Sequence, residues 1–106
     1  MKSKYYTYIL RCTDGSLYTG ITTDIQRRMN EHFTQSEKCA KYTRTHKAEK
    51  LEAVWQSENR VLASRLEYRI KALSKCDKET LIRNNDLNII GETISPDSYI
   101  RVNIGK

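Results

Sequence analysis

The sequence of 106 residues predicts an α+β fold in which the elements follow the order ββαβα. The prediction rests on a hairpin signal near the N-terminus, an amphipathic helix directly after it, and a third strand that leads into a second helix. A chain of this length is enough for one domain with a modest core. We therefore expect a single compact unit.

The hairpin is predicted from side-chain alternation and from its turn. Residues 6–11 alternate in a pattern rich in aromatic and β-branched side chains, which is typical of a strand. Asp14-Gly15 is a hairpin turn signal because glycine accepts the positive φ that such turns require. Residues 17–21 are then the partner strand.

Two tyrosines and a glycine stand out in this hairpin. Tyr8 and Tyr18 are expected on neighbouring strands and on one face of the sheet. Gly20 lies inside a strand, where glycine indicates that backbone or a ligand approaches closely. The tyrosines are therefore candidates for a site on the sheet.

A helix is predicted after Asp24, whose carboxylate can accept backbone N–H groups at a helix start. Ile25, Met29 and Phe33 lie four residues apart and form its apolar stripe. The stripe faces the sheet in this prediction.

Two adjacent arginines of this helix are separated by its geometry. On an ideal wheel Arg28 and His32 border the apolar stripe, whereas Arg27 and Glu31 point nearly opposite it. We therefore expect Arg27 to pair with Glu31 in solvent and Arg28 to lie at the edge of the sheet.

A third strand and a second long helix are predicted farther along the chain. Residues 51–56 alternate as a strand does, and Asn59 can cap the helix that follows. The helix has an apolar stripe formed by Leu62, Leu66, Ile70 and Leu73. Ile100, Val102 and Ile104 predict an extra terminal strand, which could pair with a sheet edge or with another copy of the chain.

At these residues the chain resembles the GIY-YIG nuclease superfamily, whose signature is two tyrosine motifs on adjacent strands followed by a helix with R-x-x-x-H. Residues 6–8 stand at the first motif, residues 18–20 at the second, and Arg28 and His32 form the helical pair. Glu67 stands at the position of the metal-binding glutamate. The chain is most similar to the small stand-alone bacterial members.

This resemblance implies a three-stranded antiparallel sheet flanked by helices, with the extra strand added at the C-terminus. Residues 1–83 would be the nuclease-like domain, and residues 84–106 a C-terminal extension of the same domain. The implied activity is that of an endonuclease that hydrolyses phosphodiester bonds in DNA, in repair or processing, with weak sequence specificity or a preference for DNA structure. RNA is not excluded as a substrate.

The resemblance also implies roles for the site residues. Glu67 would hold a single Mg²⁺ or Mn²⁺ ion, and Arg28 would neutralise charge on the phosphoryl group. Tyr8, Tyr18 and His32 are all candidates for the general base, and the resemblance to the family favours Tyr8. For Glu67 a salt bridge with a basic neighbour, Arg60 or Lys71, is the alternative role.

Nucleic-acid contacts are predicted for a basic segment in the middle of the chain. Residues 36–47 mix basic side chains with Tyr42, a combination able to bind phosphates and stack on a base. The resemblance favours phosphate contact by Lys41 and Arg44. For Tyr42, base stacking and burial in the core are both open, and Gly20 is expected to lie against the nucleic acid.

Charge and composition agree with a protein that binds nucleic acid. The net charge is +6, and residues 1–83 carry 17 basic and 10 acidic side chains, a balance of +7. Such an excess favours polyanions through release of counterions. A noncatalytic nucleic-acid-binding module is the main alternative, and a protein-interaction domain that uses the C-terminal strand is a third.

Other classes of protein are disfavoured. No apolar run approaches the roughly 20 residues that span a membrane, so we expect a cytoplasmic protein without membrane contact. We also expect a monomer or a weak homodimer. The three cysteines are widely spaced and form no C-x-x-C pair, which supports neither a disulfide framework nor a structural zinc site.

Overall fold

The computed structural model describes residues 4–34, 41–91 and 94–103. Its strands are β1 (Tyr5–Cys12), β2 (Leu17–Thr22), β3 (Ala48–Ser57) and β4 (Ile100–Arg101). They form one antiparallel sheet in the spatial order β2-β1-β3-β4. The predicted α+β class and the three-stranded antiparallel core are therefore confirmed.

Helices lie on both faces of this sheet. They are α1 (Ile25–Phe33), α2 (Lys41–Thr45), α3 (Arg60–Lys71) and α4 (Lys75–Asn84), followed by 3₁₀ turns at Leu87–Ile90 and Pro96–Ser98. Asp24 and Asn59 cap α1 and α3 as predicted. The short α2 and the longer α4 have no counterpart in the predicted element order.

Helix α4 is held to the sheet by charge more than by apolar burial, which explains why hydrophobic periodicity did not predict it. Leu81 is its one buried residue. Arg11 of β1 donates two hydrogen bonds to Glu79 at 2.5 and 2.8 Å and a third to Glu52 at 2.5 Å. This ion-pair network ties α4 to β1 and β3.

The register of the hairpin places the two tyrosines on one face. Tyr8 pairs with Gly20, and Leu10 pairs with Tyr18. Opposed residues share a face, as do residues two apart on one strand. The predicted common face of Tyr8 and Tyr18 is therefore confirmed.

Each face of the sheet has its own buried cluster. The face that meets α1 contains Tyr8, Leu10, Met29 and Val54. The face that meets α3 contains the members of the larger cluster: Ile9, Ala53, Trp55, Leu66, Ile70, Leu81, Leu87, Ile90, Ile94 and Tyr99. The aromatic site candidates thus lie on the α1 face. After position 84, Leu87, Ile90, Ile94 and Tyr99 pack on the opposite face, whereas Val102 packs against the cluster on the α1 face.

The C-terminal strand joins the edge of this chain's own sheet. In the ladder Arg101 pairs with Trp55, and Ile100 pairs with Gln56. The guanidinium of Arg101 also lies over the Trp55 ring, 5.1 Å from its centroid. Ile104 of the predicted strand lies outside the described residues.

Helix α1 is rotated relative to the prediction from its apolar stripe. Met29 is buried, but Phe33 is 38% exposed, while the neighbouring His32 is completely buried. Glu31, predicted to face solvent, is only 9% exposed. Polar partners on the sheet and on α2 set this rotation, as the site geometry explains.

Candidate active site

Three aromatic rings meet on the α1 face of the sheet. The ring centroids of Tyr8 and His32 are 5.7 Å apart, those of Tyr18 and His32 are 5.6 Å apart, and those of the two tyrosines are 6.3 Å apart. Strands β1 and β2 supply the tyrosines, and α1 supplies the imidazole. The structure therefore brings together three of the five predicted catalytic side chains by direct ring contact.

A buried chain of hydrogen bonds starts at Tyr8. Its hydroxyl oxygen is 2.8 Å from Nε2 of His32, and Nδ1 of that imidazole is 2.9 Å from Oγ1 of Thr43. Arg28 also bonds to the Tyr8 oxygen. A guanidinium only donates, so the phenol oxygen accepts from Arg28. In the tautomer of His32 that carries its proton on Nδ1, the phenol donates to Nε2 and Nδ1 donates to Thr43.

Gly20 makes room for this arrangement. A Cβ atom at position 20 would stand 2.5 Å from the hydroxyl oxygen of Tyr8 and 2.7 Å from Cζ of the same ring. Tyr8 therefore crosses directly over the β2 backbone at Gly20. The close approach predicted for this glycine is that of a neighbouring tyrosine, and its predicted contact with nucleic acid stays a prediction.

Burial sets the protonation states of the central pair. It raises the pKa of Tyr8 well above its ordinary value, against the opposing effect of the hydrogen bond from Arg28. Burial, together with the nearby charge of Arg28, lowers the pKa of His32 from 6.5 to about 4. At neutral pH the site therefore holds a neutral phenol hydrogen-bonded to a neutral imidazole.

Acidification is expected to destabilise the protein through His32. Because its folded pKa is depressed, the unfolded state takes up the proton first. The stabilising contribution is complete above the unfolded pKa of 6.5 and is lost as the pH falls toward 4, by about 3 kcal/mol in total. Urea unfolding of the wild type and His32→Gln at a series of pH values measures it. The free energy of unfolding of His32→Gln should fall less steeply between pH 6.5 and 4 than that of the wild type. Equal pH dependence in the two proteins would contradict the buried neutral imidazole.

Arg28 lies at the edge of the sheet as predicted. The expected ion pair between Arg27 and Glu31 is present, but Glu31 is nearly buried rather than in solvent and lies closer to Arg28. Nη1 of Arg28 is 2.7 Å from Glu31, whereas Nη1 of Arg27 is 3.7 Å from the same carboxylate. Burial would lower the pKa of Arg28, but its bonds to Glu31 and Tyr8 outweigh that effect and raise it. Glu31 turns inward because the half-buried guanidinium needs a counterion.

Glu67 of α3 lies near enough to the phenol of Tyr8 for its charge to act on that group. Its negative charge contributes to the raised pKa of Tyr8, and its carboxylate lies 3.3 Å from Nζ of Lys71. The salt bridge considered as the alternative role is thus present, and its partner is Lys71. The carboxylate remains 24% exposed, so other ligands can reach it.

The donor set around Glu67 fits one kind of metal. Among the described residues, no three His, Cys, Asp or Glu side chains are grouped as metal ligands. Mg²⁺ does not need such a group, because it keeps several waters and binds through one or two carboxylates plus substrate phosphate. The site therefore fits a hydrated Mg²⁺ or Mn²⁺ ion on Glu67 better than a transition metal that requires a protein cage.

An aromatic stack leads away from the site through α2. The Tyr42 ring stacks on Tyr18 with centroids 5.5 Å apart, and His46 stacks on Tyr42 at 4.1 Å. Nδ1 of His46 is 2.7 Å from Asp14 in the hairpin turn. Tyr42 is half-buried in this stack, so it lies neither in the main core nor free in solvent.

The two basic residues predicted to contact phosphate, Lys41 and Arg44, lie exposed on α2 on either side of Tyr42 in sequence. They make no part of the buried hydrogen-bond chain. Thr43, which lies between them in sequence, does belong to this hydrogen-bond chain. The sequence gave no indication of that role. Nothing distinguishes a threonine within a basic segment as a site residue, and only the fold brings Thr43 to His32.

Comparison with known proteins places these residues in a described domain. Residues 4–79 match the family described as the GIY-YIG catalytic domain, a range that contains all five catalytic candidates. The chain is similar to a UPF0213 protein of Fusobacterium nucleatum, with 46% identity over 97 residues that cover 92% of this chain and 84% of the relative. A UPF0213 protein of Halalkalibacterium halodurans is 47% identical over 78 residues, which cover 74% of this chain and 81% of the relative.

A related structure has also been solved. The solution NMR structure of a UPF0213 protein from Bacillus halodurans is 44% identical and covers 76% of this chain and 83% of that chain, with a TM-score of 0.49. In the described part of the present chain, no helix is both long and apolar enough to cross a membrane.

Proposed function

We propose, from the premise that this chain belongs to the GIY-YIG catalytic-domain family, that it is a metal-dependent endonuclease that hydrolyses phosphodiester bonds in DNA. The family is one of nucleases, so the substrate of a member of this family is nucleic acid. The observation that carries the proposal is the phenol of Tyr8, bonded at once to Arg28 and His32 and close to the charge of Glu67. This cluster combines a proton acceptor, an anion-binding group and a carboxylate.

The proton path begins at Tyr8. As water attacks phosphorus, the phenol oxygen takes the water proton while its own proton passes to Nε2 of His32. Thr43 then accepts the hydrogen bond that Nδ1 of the imidazolium donates. This path requires no free phenolate, which the burial of Tyr8 disfavours. On this path Tyr8 takes the proton from water and His32 is the final acceptor, so the path requires the attacking water to reach a phenol that is 1% exposed in this structure.

Arg28 stabilises the negative charge that develops on the phosphoryl oxygens. Its guanidinium stays charged and presents a planar fork that matches phosphate geometry. Glu31, 2.7 Å away, fixes the orientation of the fork before DNA binds. Preorganised charge of this kind is often the largest contribution to catalysis.

Glu67 is the group that would hold a metal ion, since nucleases of this family generally use divalent metals. When bound, Mg²⁺ or Mn²⁺ supplies Lewis-acid stabilisation to the phosphoryl group and to the departing 3′ oxygen. The ion would replace Lys71 on the carboxylate. A pair in which the lysine is 52% exposed is worth roughly 0–1 kcal/mol, so this exchange costs little.

Weak sequence specificity, or selection by DNA structure, follows from the kind of contact available. Lys41 and Arg44 suit phosphate contacts, which position DNA but carry no sequence information. Tyr42 already stacks with Tyr18 and His46, so an exposed base, which every sequence can offer, would stack on it by displacing the His46 ring. Such an enzyme fits DNA repair or processing in the cytoplasm, as a monomer or weak homodimer.

The test of this function is incubation of the purified protein with duplex, single-stranded and branched DNA, and with RNA, in Mg²⁺, Mn²⁺ or EDTA. Cutting of at least one DNA substrate is expected with either metal and none with EDTA. Salt-sensitive binding without cutting under every condition would contradict the proposal and support the noncatalytic binding module instead.

A further inference from the structure

An open pocket lies next to the catalytic cluster, at the end of the sheet between α1 and α3. It has a volume of about 340 Å³ and lies where the end of β2, the start of α1 and the first residue of α3 meet. Pockets that take small ligands range over roughly 300–1,000 Å³. None of the three catalytic rings lines it, but Arg28 does, so the pocket and the cluster share one guanidinium.

The lining of the pocket is strongly basic. Arg27, Arg28 and Arg60 contribute three guanidinium groups, and Glu31 is the one carboxylate among the lining residues. Glu31 pairs with both arginines of α1, and Arg27 also lies 4.0 Å from Asp24 at the rim. Even after that pairing, the lining keeps an excess of positive charge.

Arg60 contributes most to this excess. It is exposed at the first position of α3 and makes no ion pair within the described residues. Like charges gathered around one opening repel each other, and an anion in the pocket would relieve that repulsion.

We propose that this pocket binds the phosphodiester that neighbours the one being cut, an inference that rests on the proposed nuclease function. A polynucleotide strand that presents one phosphate to Arg28 beside Tyr8 must carry the next phosphate nearby, and the shared guanidinium places the pocket there. Arg27 and Arg60 offer the charge and the planar donors that phosphate oxygens match. The strand thus runs from the basic helix α2, across the catalytic cluster, to the start of α3.

The hydroxyl of Thr23 and the ring of Tyr5, which also line the pocket, agree with this ligand. A hydroxyl can donate to a phosphate oxygen, and a tyrosine edge can pack against a sugar. Contacts to phosphate and sugar carry no sequence information, so a pocket used in this way would hold unrelated sequences alike.

The experiment measures binding separately from cutting. Labelled single-stranded and duplex oligonucleotides of unrelated sequence are titrated in EDTA over a range of salt concentrations. Arg27→Gln, Arg60→Gln and their combination are compared with Arg83→Gln, which removes an exposed arginine of α4 outside the pocket.

Each pocket variant is expected to bind all sequences about three- to tenfold more weakly. Each single substitution should also reduce the slope of log affinity against log salt by about 0.9 on duplex and about 0.7 on single strands, and the combination by about twice as much. Arg83→Gln should match the wild type. In cutting assays the pocket variants should have a raised KM and a nearly unchanged kcat, as expected for groups that do not touch the reacting phosphate.

Pocket variants that bind like the wild type, with the same salt slope, would overturn this inference while leaving the nuclease function intact. A wild-type protein that binds no nucleic acid would overturn both. A protein that binds, loses affinity in the pocket variants and never cuts would uphold the phosphate subsite and overturn the hydrolytic function.

Discussion

Glu67→Gln is expected to lower the rate of DNA cutting by at least about 10³-fold. The amide has nearly the shape of the carboxylate but lacks the negative charge that a hard divalent ion requires. The fold should survive, because the pair that Glu67 makes with Lys71 is partly exposed and contributes little to stability. Single-turnover cutting of labelled duplex DNA in Mg²⁺ measures the effect.

The matched control for this change is Glu49→Gln, which neutralises an exposed carboxylate on β3. It should cut at the wild-type rate. DNA binding in EDTA should be kept by Glu67→Gln, since the loss concerns the metal and not the phosphate contacts. A Glu67→Gln protein that cuts as fast as the control would exclude Glu67 as the metal ligand.

Removal of the guanidinium of Arg28 is expected to have the second large effect, a loss of about 10³-fold in the cutting rate. A single neutral substitution would remove the shorter ion pair of the nearly buried Glu31 carboxylate, leaving Arg27 at 3.7 Å, and would destabilise the fold. The double variant Arg28→Gln/Glu31→Gln removes both charges together and separates catalysis from folding. Cutting rates and the free energy of unfolding are measured on the same preparations.

A conservative change at the same position gives a graded result. Arg28→Lys keeps the positive charge but loses the planar fork, and its loss should be smaller, about 10- to 100-fold. Arg83→Gln controls for the general loss of one positive charge. If Arg28→Gln/Glu31→Gln folds normally and cuts at the rate of Arg83→Gln, Arg28 has no role at the reacting phosphate.

The hairpin and its tyrosines could be predicted from the sequence because their signals are local. A two-residue period places Tyr8 and Tyr18 on one face, and an Asp-Gly turn sets the pairing of their strands. Gly20 was also recognisable as a point of close approach, although only the structure identifies Tyr8 as the group that approaches. Local chemistry was sufficient for each of these.

The polar partners of the site could not be predicted in the same way. Glu31 points inward because a half-buried Arg28 needs a counterion, and a helical wheel carries no information about that charge. Thr43 reaches His32 only because α2 folds back over the sheet. The pocket depends on Arg60 of α3, which lies far from α1 in sequence. Tertiary contacts between distant segments decide all of these.

The most direct test of the central claim, metal-dependent hydrolysis at this cluster, is to identify the ends that the wild-type protein leaves on labelled duplex DNA in Mg²⁺ and in EDTA. We expect new 3′-hydroxyl and 5′-phosphate ends in Mg²⁺, none in EDTA, and none from Glu67→Gln prepared in parallel. Ends that form equally in EDTA, or equally with Glu67→Gln, would contradict the claim.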